Sequence, residues 1–242
     1  KGWQMKIYIF LLIFILLSFN VIASWQTFQN DLRNTGASNG IGYFPLNTAN
    51  FSVDLGMAFQ PLIDDLNSDG NNEIVLFSND SLIIFNSQLM ILNQVKIGTI
   101  LGQPTLFNFD SDNLIEIIFN ARQSSDYFFV YQFNNSNLTQ EFNITLNNDA
   151  NFSGIKCLNL NGINSCVFKD KLNYIHIVNM GSKADASYNT SVYNETRQTV
   201  PAIDDIDNDG NLEAVFWFNR DSSGGYGFLA FDLSQRQTDW IV

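Results

Sequence analysis

Two nine-residue strings set 140 residues apart constrain this chain more than any other feature of it. Asp65-Leu-Asn67-Ser-Asp69-Gly70-Asn71-Asn-Glu73 recurs as Asp205-Ile-Asp207-Asn-Asp209-Gly210-Asn211-Leu-Glu213. Oxygen-bearing side chains hold positions 1, 3, 5 and 9, and glycine holds position 6. Alternate side chains turn toward one point while the glycine lets the backbone reverse. An oxygen-only pocket of that kind suits calcium, which takes about six to eight oxygen ligands. A third version, Asn108-Phe-Asp110-Ser-Asp112-Asn113-Leu114-Ile-Glu116, places Asn at position 6. Asn is the least costly non-glycine residue at positive φ, so the turn survives. The helical calcium loop would need a bidentate Glu at position 12 and a helix after it. Position 12 is Leu76 in the first loop and Phe216 in the last, and apolar runs of strand length follow position 9 in both. The ligand set closes at position 9, and each loop joins two strands.

The repetition extends beyond the loops. Pro61-Leu-Ile-Asp and Pro201-Ala-Ile-Asp lead into the first and last, and Pro104-Thr-Leu-Phe leads into the second. A worn unit without an acidic loop begins near residue 153. Each unit reads as a short apolar strand, a loop, an apolar strand, a turn, an alternating strand, a turn and a last strand. In the first unit the third and fourth strands fall at 81–85 and 89–92, and no long helix is foreseen. A four-stranded unit recurring at about 40–50 residues predicts an all-β chain of β-propeller blades. Their bounds are 61–103, 104–152, 153–200 and 201–242. A β-sandwich would leave the register between the two loops to accident.

These loops resemble the FG-GAP (VCBS-type) repeats of the integrin α-chain propeller and of secreted microbial proteins. The resemblance covers residues 61–242, carried most fully by the first and last units and hardly at all by the third. It implies calcium ligands at Asp65, Asn67, Asp69 and Glu73, at Asn108, Asp110, Asp112 and Glu116, and at Asp205, Asp207, Asp209 and Glu213. Position 7, held by Asn71, Leu114 and Asn211, would donate a backbone carbonyl. Charge ranks the loops: the last offers four carboxylates and should bind tightest, the other two three plus an Asn amide. The resemblance further implies a ring of about seven blades, of which four are visible here as a fragment. It also implies a lead-in at 24–60 whose residues 50–57 add an outer strand. Ligands would meet the end away from the loops, near residues 58–61, 101–104, 150–154 and 197–201.

The third unit alone holds cysteines. Cys157 stands where Ile63 does and Cys166 where Ile74 does, so the two flank the worn turn as a cross-strand pair would. A Cys157–Cys166 disulfide would staple that unit in place of an ion; two buried free thiols are the alternative.

Met5-Lys6, an apolar run through Leu17, and Val21 and Ala23 at −3 and −1 predict a secretory signal peptide, residues 1–23, with 1–4 upstream of the initiator. The run is shorter than the about 20 residues that span a bilayer, so no membrane insertion of the mature domain is expected. A net charge of −12, reaching −14 once Lys1 and Lys6 are removed, argues against nucleic acid and anionic lipid surfaces as partners. Asn-x-Ser/Thr triplets such as those at Asn50, Asn134 and Asn194 suit a glycosylated extracellular chain.

The expectation is a secreted calcium-binding module for adhesion to an extracellular protein or polysaccharide, and not an enzyme. His176, the single histidine, shares a strand face with Tyr174 and reads as ordinary strand surface. No Ser-His-Asp or zinc pattern accompanies it. Two enzyme alternatives remain. A polysaccharide lyase would need Arg122, Lys183, Arg197 and Arg220 gathered at a cleft. A quinoprotein-like dehydrogenase, suggested by Asn34-Thr35-Gly36, lacks the Gly-plus-Trp docking segments in its blades.

Overall fold

Every acidic loop runs into a strand of β-branched and aromatic residues whose alternate side chains need cover on both faces. These strands are β2 (Glu73–Ser78), β7 (Glu116–Arg122) and β15 (Glu213–Asn219). The computed structural model describes residues 59–78, 80–110, 112–146, 153–170, 172–190, 200–219 and 226–241. They lie in one compact unit, Val53–Val242. The expected signal peptide, the strand at 50–57 and most of the lead-in fall outside the described residues. Among those described there is no helix, and so none long and apolar enough to cross a membrane.

Four antiparallel sheets follow one another along the chain, each a meander in sequence order. The first joins β1 (Leu62–Asp64), β2, β3 (Ser81–Phe85) and β4 (Ile91–Lys96). The second joins β5 (Thr99–Ile100) and β6 (Thr105–Phe107), both along β7, to β8 (Asp126–Asn134) and β9 (Asn137–Leu146). The third runs β10 (Lys156–Leu160), β11 (Ile163–Lys169), β12 (Tyr174–Asn179) and β13 (Ala184–Asn189). The fourth runs β14 (Ala202–Asp204), β15, β16 (Tyr226–Asp232) and β17 (Gln237–Ile241). This is the all-β arrangement of β-propeller blades.

Two local differences from the sequence expectation have plain causes. Thr99–Ile100, assigned by spacing to the first unit, pairs instead with Arg122 and Ala121 of β7. The fourth strand of the first sheet starts at Ile91 rather than at residue 89. Asn86 closes a turn there, its Oδ1 accepting the amides of Gln88 and Met90, with Leu89 at φ +61°.

The sheets stack face to face because their middle strands are apolar on both sides. Val75, Phe77, Leu82 and Ile84 of the first sheet meet Ile117, Phe119, Phe129 and Tyr131 of the second. Phe119 packs edge-on to Phe77 at 5.2 Å and stacks on Phe129 at 5.3 Å. The opposite face of the second sheet, through Ile118, Phe128 and Val130, packs on Cys157, Cys166, Phe168 and Val178 of the third. Val167, Ile175 and Ile177 then meet Phe216, Leu229 and Phe231 of the fourth. Each such buried side chain contributes about 1.5–3 kcal/mol. In the first three sheets, first strands of neighbours lie beside one another, as do fourth strands, so their β1–β2-type connections gather at one end.

The connection in the third sheet is the exception. β10 and β11 turn through Asn161-Gly162 alone, at φ +52° and +84°, the left-handed pair a two-residue hairpin requires. Cys157 and Cys166 face each other directly in this hairpin, as Ile63 and Ile74 do in the first, and are joined by a disulfide.

Gly98 controls the passage from the first sheet to the second. It stands at φ +86°, and a Cβ there would lie 2.1 Å from the carbonyl oxygen of Arg122. Gly98→Ala should therefore lower the unfolding free energy by at least about 1–3 kcal/mol. Urea denaturation checks it; an unchanged midpoint would mean the crossing relaxes freely.

Candidate metal centres

The three acidic loops share one hydrogen-bond pattern, set by their residue spacing. At position 1, Asp65 accepts the amides of Asp69 and Gly70, and Asp205 those of Asp209 and Gly210, at 2.8–3.1 Å. The position-3 oxygens of Asn67, Asp110 and Asp207 accept the position-5 amide at 3.0–3.1 Å. Asp69, Asp112 and Asp209 at position 5 accept the position-7 amide, each at 2.8 Å. Position 6 sits at φ +88° in Gly70, +89° in Gly210 and +72° in Asn113. At positions 3 and 5 the short carboxylate or amide thus holds the backbone two residues ahead of it, while the position-1 carboxylate reaches four and five residues ahead.

Position 9 is different, because it begins a buried strand. Glu73, Glu116 and Glu213 are 2 %, 0 % and 1 % exposed. Each turns Oε2 back to the position-2 amide, from Leu66, Phe109 and Ile206, at 2.9–3.0 Å. Burial pushes all three carboxyls above the usual range despite that bond, and Glu116 reaches about 7. Oε1 of Glu116 is buried with no hydrogen-bond partner.

Neighbouring loops are linked. The Ser68 hydroxyl donates to the Asn113 carbonyl, the Ile115 amide to the Leu66 carbonyl at 3.3 Å, and the Asn164 side-chain amide to the Phe109 carbonyl. A polar hollow of about 380 Å³ opens over the first loop, lined by Asn67, Asp69, Glu73, Asn86 and Leu92 among others.

The structure gathers some of the sequence-predicted ligands and not others. Oxygens of Asp205, Asp207 and Glu213 lie within 4.8 Å of one another. In the second loop Asp110 and Glu116 meet within the same distance, joined by Glu141 of β9, which the loop pattern could not reveal. Asp69, Asp112 and Asp209 hold the turn by their position-7 bonds, and in the first loop Asn67 leaves Asp65 and Glu73 short of a third carboxylate. Oxygens bound to one calcium ion at about 2.3–2.6 Å stand at most about 5 Å apart. The observed spread, the all-oxygen donors and the orphaned Glu116 oxygen fit that ion. Bound there, it would neutralise the clustered charge and tie the two strands that flank the loop.

The third sheet carries a different charged group, which sequence reading placed on the surface. His176 is 1 % exposed and stacks on Phe168 at 4.7 Å, because both faces of this sheet are covered. Its Nδ1 lies 2.8 Å from Asp185 and its Nε2 3.4 Å from Asp170. Buried Lys169 donates to Asn173 at 2.9 Å, and burial draws its amine down to about 8. Burial alone would lower the His176 pKa, but bonds to Asp170 and Asp185 and their charges outweigh it and raise it. A histidine whose folded value is raised contributes stability fully below about pH 6.5 and loses it as pH climbs through the folded value. The stability of the native chain relative to His176→Gln should accordingly fall between pH 6 and 9, followed by urea midpoints; a constant difference would mean a neutral imidazole.

No protein-family model matches the chain, and neither does any curated protein. Among solved structures it is similar to BBS1N in complex with ARL6DN, soaked with lead. The TM-score is 0.48 at 11 % identity, over 75 % of this chain and 67 % of that one. The same complex soaked with mercury gives a TM-score of 0.49 at 12 % identity, over 75 % of this chain and 52 % of that one.

Proposed function

We propose that this chain is a secreted, calcium-stabilised β-propeller module that binds a protein or glycan outside the cell. The observation that carries the calcium part is the convergence of Asp205, Asp207 and Glu213 within 4.8 Å beneath a loop whose backbone is already closed. Secretion is supported by the N-terminal apolar run and by the Cys157–Cys166 disulfide, a bond that persists in oxidising compartments.

The binding part rests on the two ends of the sheets having different duties. The loop end is committed to the acidic clusters. At the other end, the residues before each first strand come together. Gln103 donates to the Gln60 carbonyl at 3.4 Å and accepts the Ile155 amide at 3.1 Å. Gly154 lies so close to Val200 that an added Cβ would stand 2.5 Å from it. Gln60 and Val200 are exposed there and Gln103 is half-buried. The lyase alternative has less support. Arg122 is engaged by Asp126 at 2.6 and 3.1 Å. It ends β7 far from the loops, whereas Lys183 lies over Phe142 beside the second loop. Arg197 and Arg220 lie outside the described residues.

A site that calcium fills at 100 times its dissociation constant adds about 2.7 kcal/mol. EDTA should thus lower the melting temperature by about 5–10 °C per filled site. Asp207→Asn should remove one loop's share, and a transition that neither treatment moves would exclude structural calcium. For the ligand end, the calcium-loaded chain is offered to cell surfaces and to a glycan array. Gln60→Ala combined with Gln103→Ala should weaken capture about tenfold with melting unchanged; undiminished capture would place the binding surface elsewhere.

A further inference from the structure

Three of the four sheets break register at the same place. The fourth strand carries one extra residue opposite the third. Leu92 falls between the pairs Phe85↔Ile91 and Ile84↔Asn93. Glu141 falls between Tyr131↔Gln140 and Val130↔Phe142, and Asp239 between Phe231↔Thr238 and Ala230↔Trp240. The third sheet, which has no acidic loop, pairs β12 with β13 without interruption. A bulge re-aims the side chain of its extra residue. Its occurrence in the sheets with acidic loops, and not in the sheet without one, connects the two features.

What the bulge presents differs from sheet to sheet. Leu92 offers no oxygen and lines the hollow over the first loop. Asp239 is one methylene shorter than Glu141, and its oxygens stay outside the Asp205, Asp207 and Glu213 group. Glu141 alone brings a carboxylate oxygen within 4.8 Å of two loop carboxylates, Asp110 and Glu116. Like the first loop, the second offers three carboxylates and one Asn amide from its own nine residues. Asn108 replaces Asp at position 1, and both oxygens of Asp112 are engaged. Its Oδ1 accepts the Leu114 amide at 2.8 Å and its Oδ2 accepts the Gln132 side chain at 2.6 Å. Beside this group, fully buried Glu116 keeps Oε1 without a partner. A buried carboxylate oxygen among other carboxylates costs free energy unless a cation compensates it.

Resting on the calcium reading of the loops, we propose that Glu141 is a direct ligand of the ion in the second loop, delivered by the β9 bulge. The ion in this blade then joins the fourth strand to the hairpin of β6 and β7, where loop ligands alone would tie only the hairpin. The charge ranking of the loops changes accordingly, since the second regains a carboxylate that its own nine residues lack.

Calcium titration calorimetry on the full chain, freed of metal with EDTA, tests this. Glu116→Gln identifies the binding step that belongs to the second loop. Glu141→Gln should weaken that same step by at least the about tenfold that loss of even an outer-shell partner costs. Glu141→Asp keeps the charge but shortens the reach, and should weaken it comparably. Wild-type affinity in Glu141→Gln overturns the proposal while leaving calcium in the loops. So does wild-type affinity in Glu141→Asp with loss only in Glu141→Gln, because that marks a distant charge effect. A native chain that takes up no calcium overturns both this proposal and the reading beneath it.

Discussion

A glutamate buried at the start of the second strand is the constraint on which three of the four sheets depend. Glu73, Glu116 and Glu213 must enter an apolar sheet face because the next residues are its core, yet each carries a carboxylate. Folding back to the position-2 amide satisfies one oxygen and closes the loop in the same act. Glu116 and Glu213 also bring a carboxylate oxygen within 4.8 Å of other acidic side chains, which is costly in a low-dielectric site without a counter-charge. The loop is therefore tied mechanically to the sheet, and a cation bound there would tie it electrically as well. Its turn geometry stands on its own hydrogen bonds, so an ion would find the backbone already arranged, which lowers the ordering cost of binding.

The third sheet shows what replaces that arrangement. Its hairpin is shortened to Asn161-Gly162, leaving no room for a ligand set, and a disulfide clamps Cys157 to Cys166 across the two strands. Charge reappears within the same sheet, where Asp170, His176 and Asp185 form a hydrogen-bonded group beside buried Lys169. Such a group is stable only while every member is paired and the opposite charges balance, so it ties the third sheet's stability to pH. Blades of one architecture thus use two different devices, an acidic loop or a covalent bridge, to hold the first two strands together.

Much of this was legible before any coordinates. The loop spacing specified a strand–loop–strand unit, and its recurrence specified a series of like blades. The Cys157 and Cys166 positions matched an opposed pair in the first unit, and Asn113 kept the left-handed turn that glycine makes elsewhere. Other features escaped for identifiable reasons. Glu141 lies 25 residues past Glu116 in an alternating strand, and only the bulge between Val130 and Tyr131 turns it toward the loop. His176 shares the face of a half-buried tyrosine, and nothing in a single strand's pattern says that a second sheet will cover that face. The signals that could have been read were the Asn-Gly pair in the third hairpin and the acidic residues repeated near the end of two units.

Local backbone chemistry, then, was settled by residue order. Which turns reverse, which strands follow them and which oxygens close each loop depend on neighbours a few positions apart, and those interactions are encoded in spacing. Membership of the carboxylate clusters and burial of the charged residues were decided only when sheets stacked and strands slipped register. Both depend on which distant segment covers a given face, and a covered face changes the free energy of a charge by more than any local preference can.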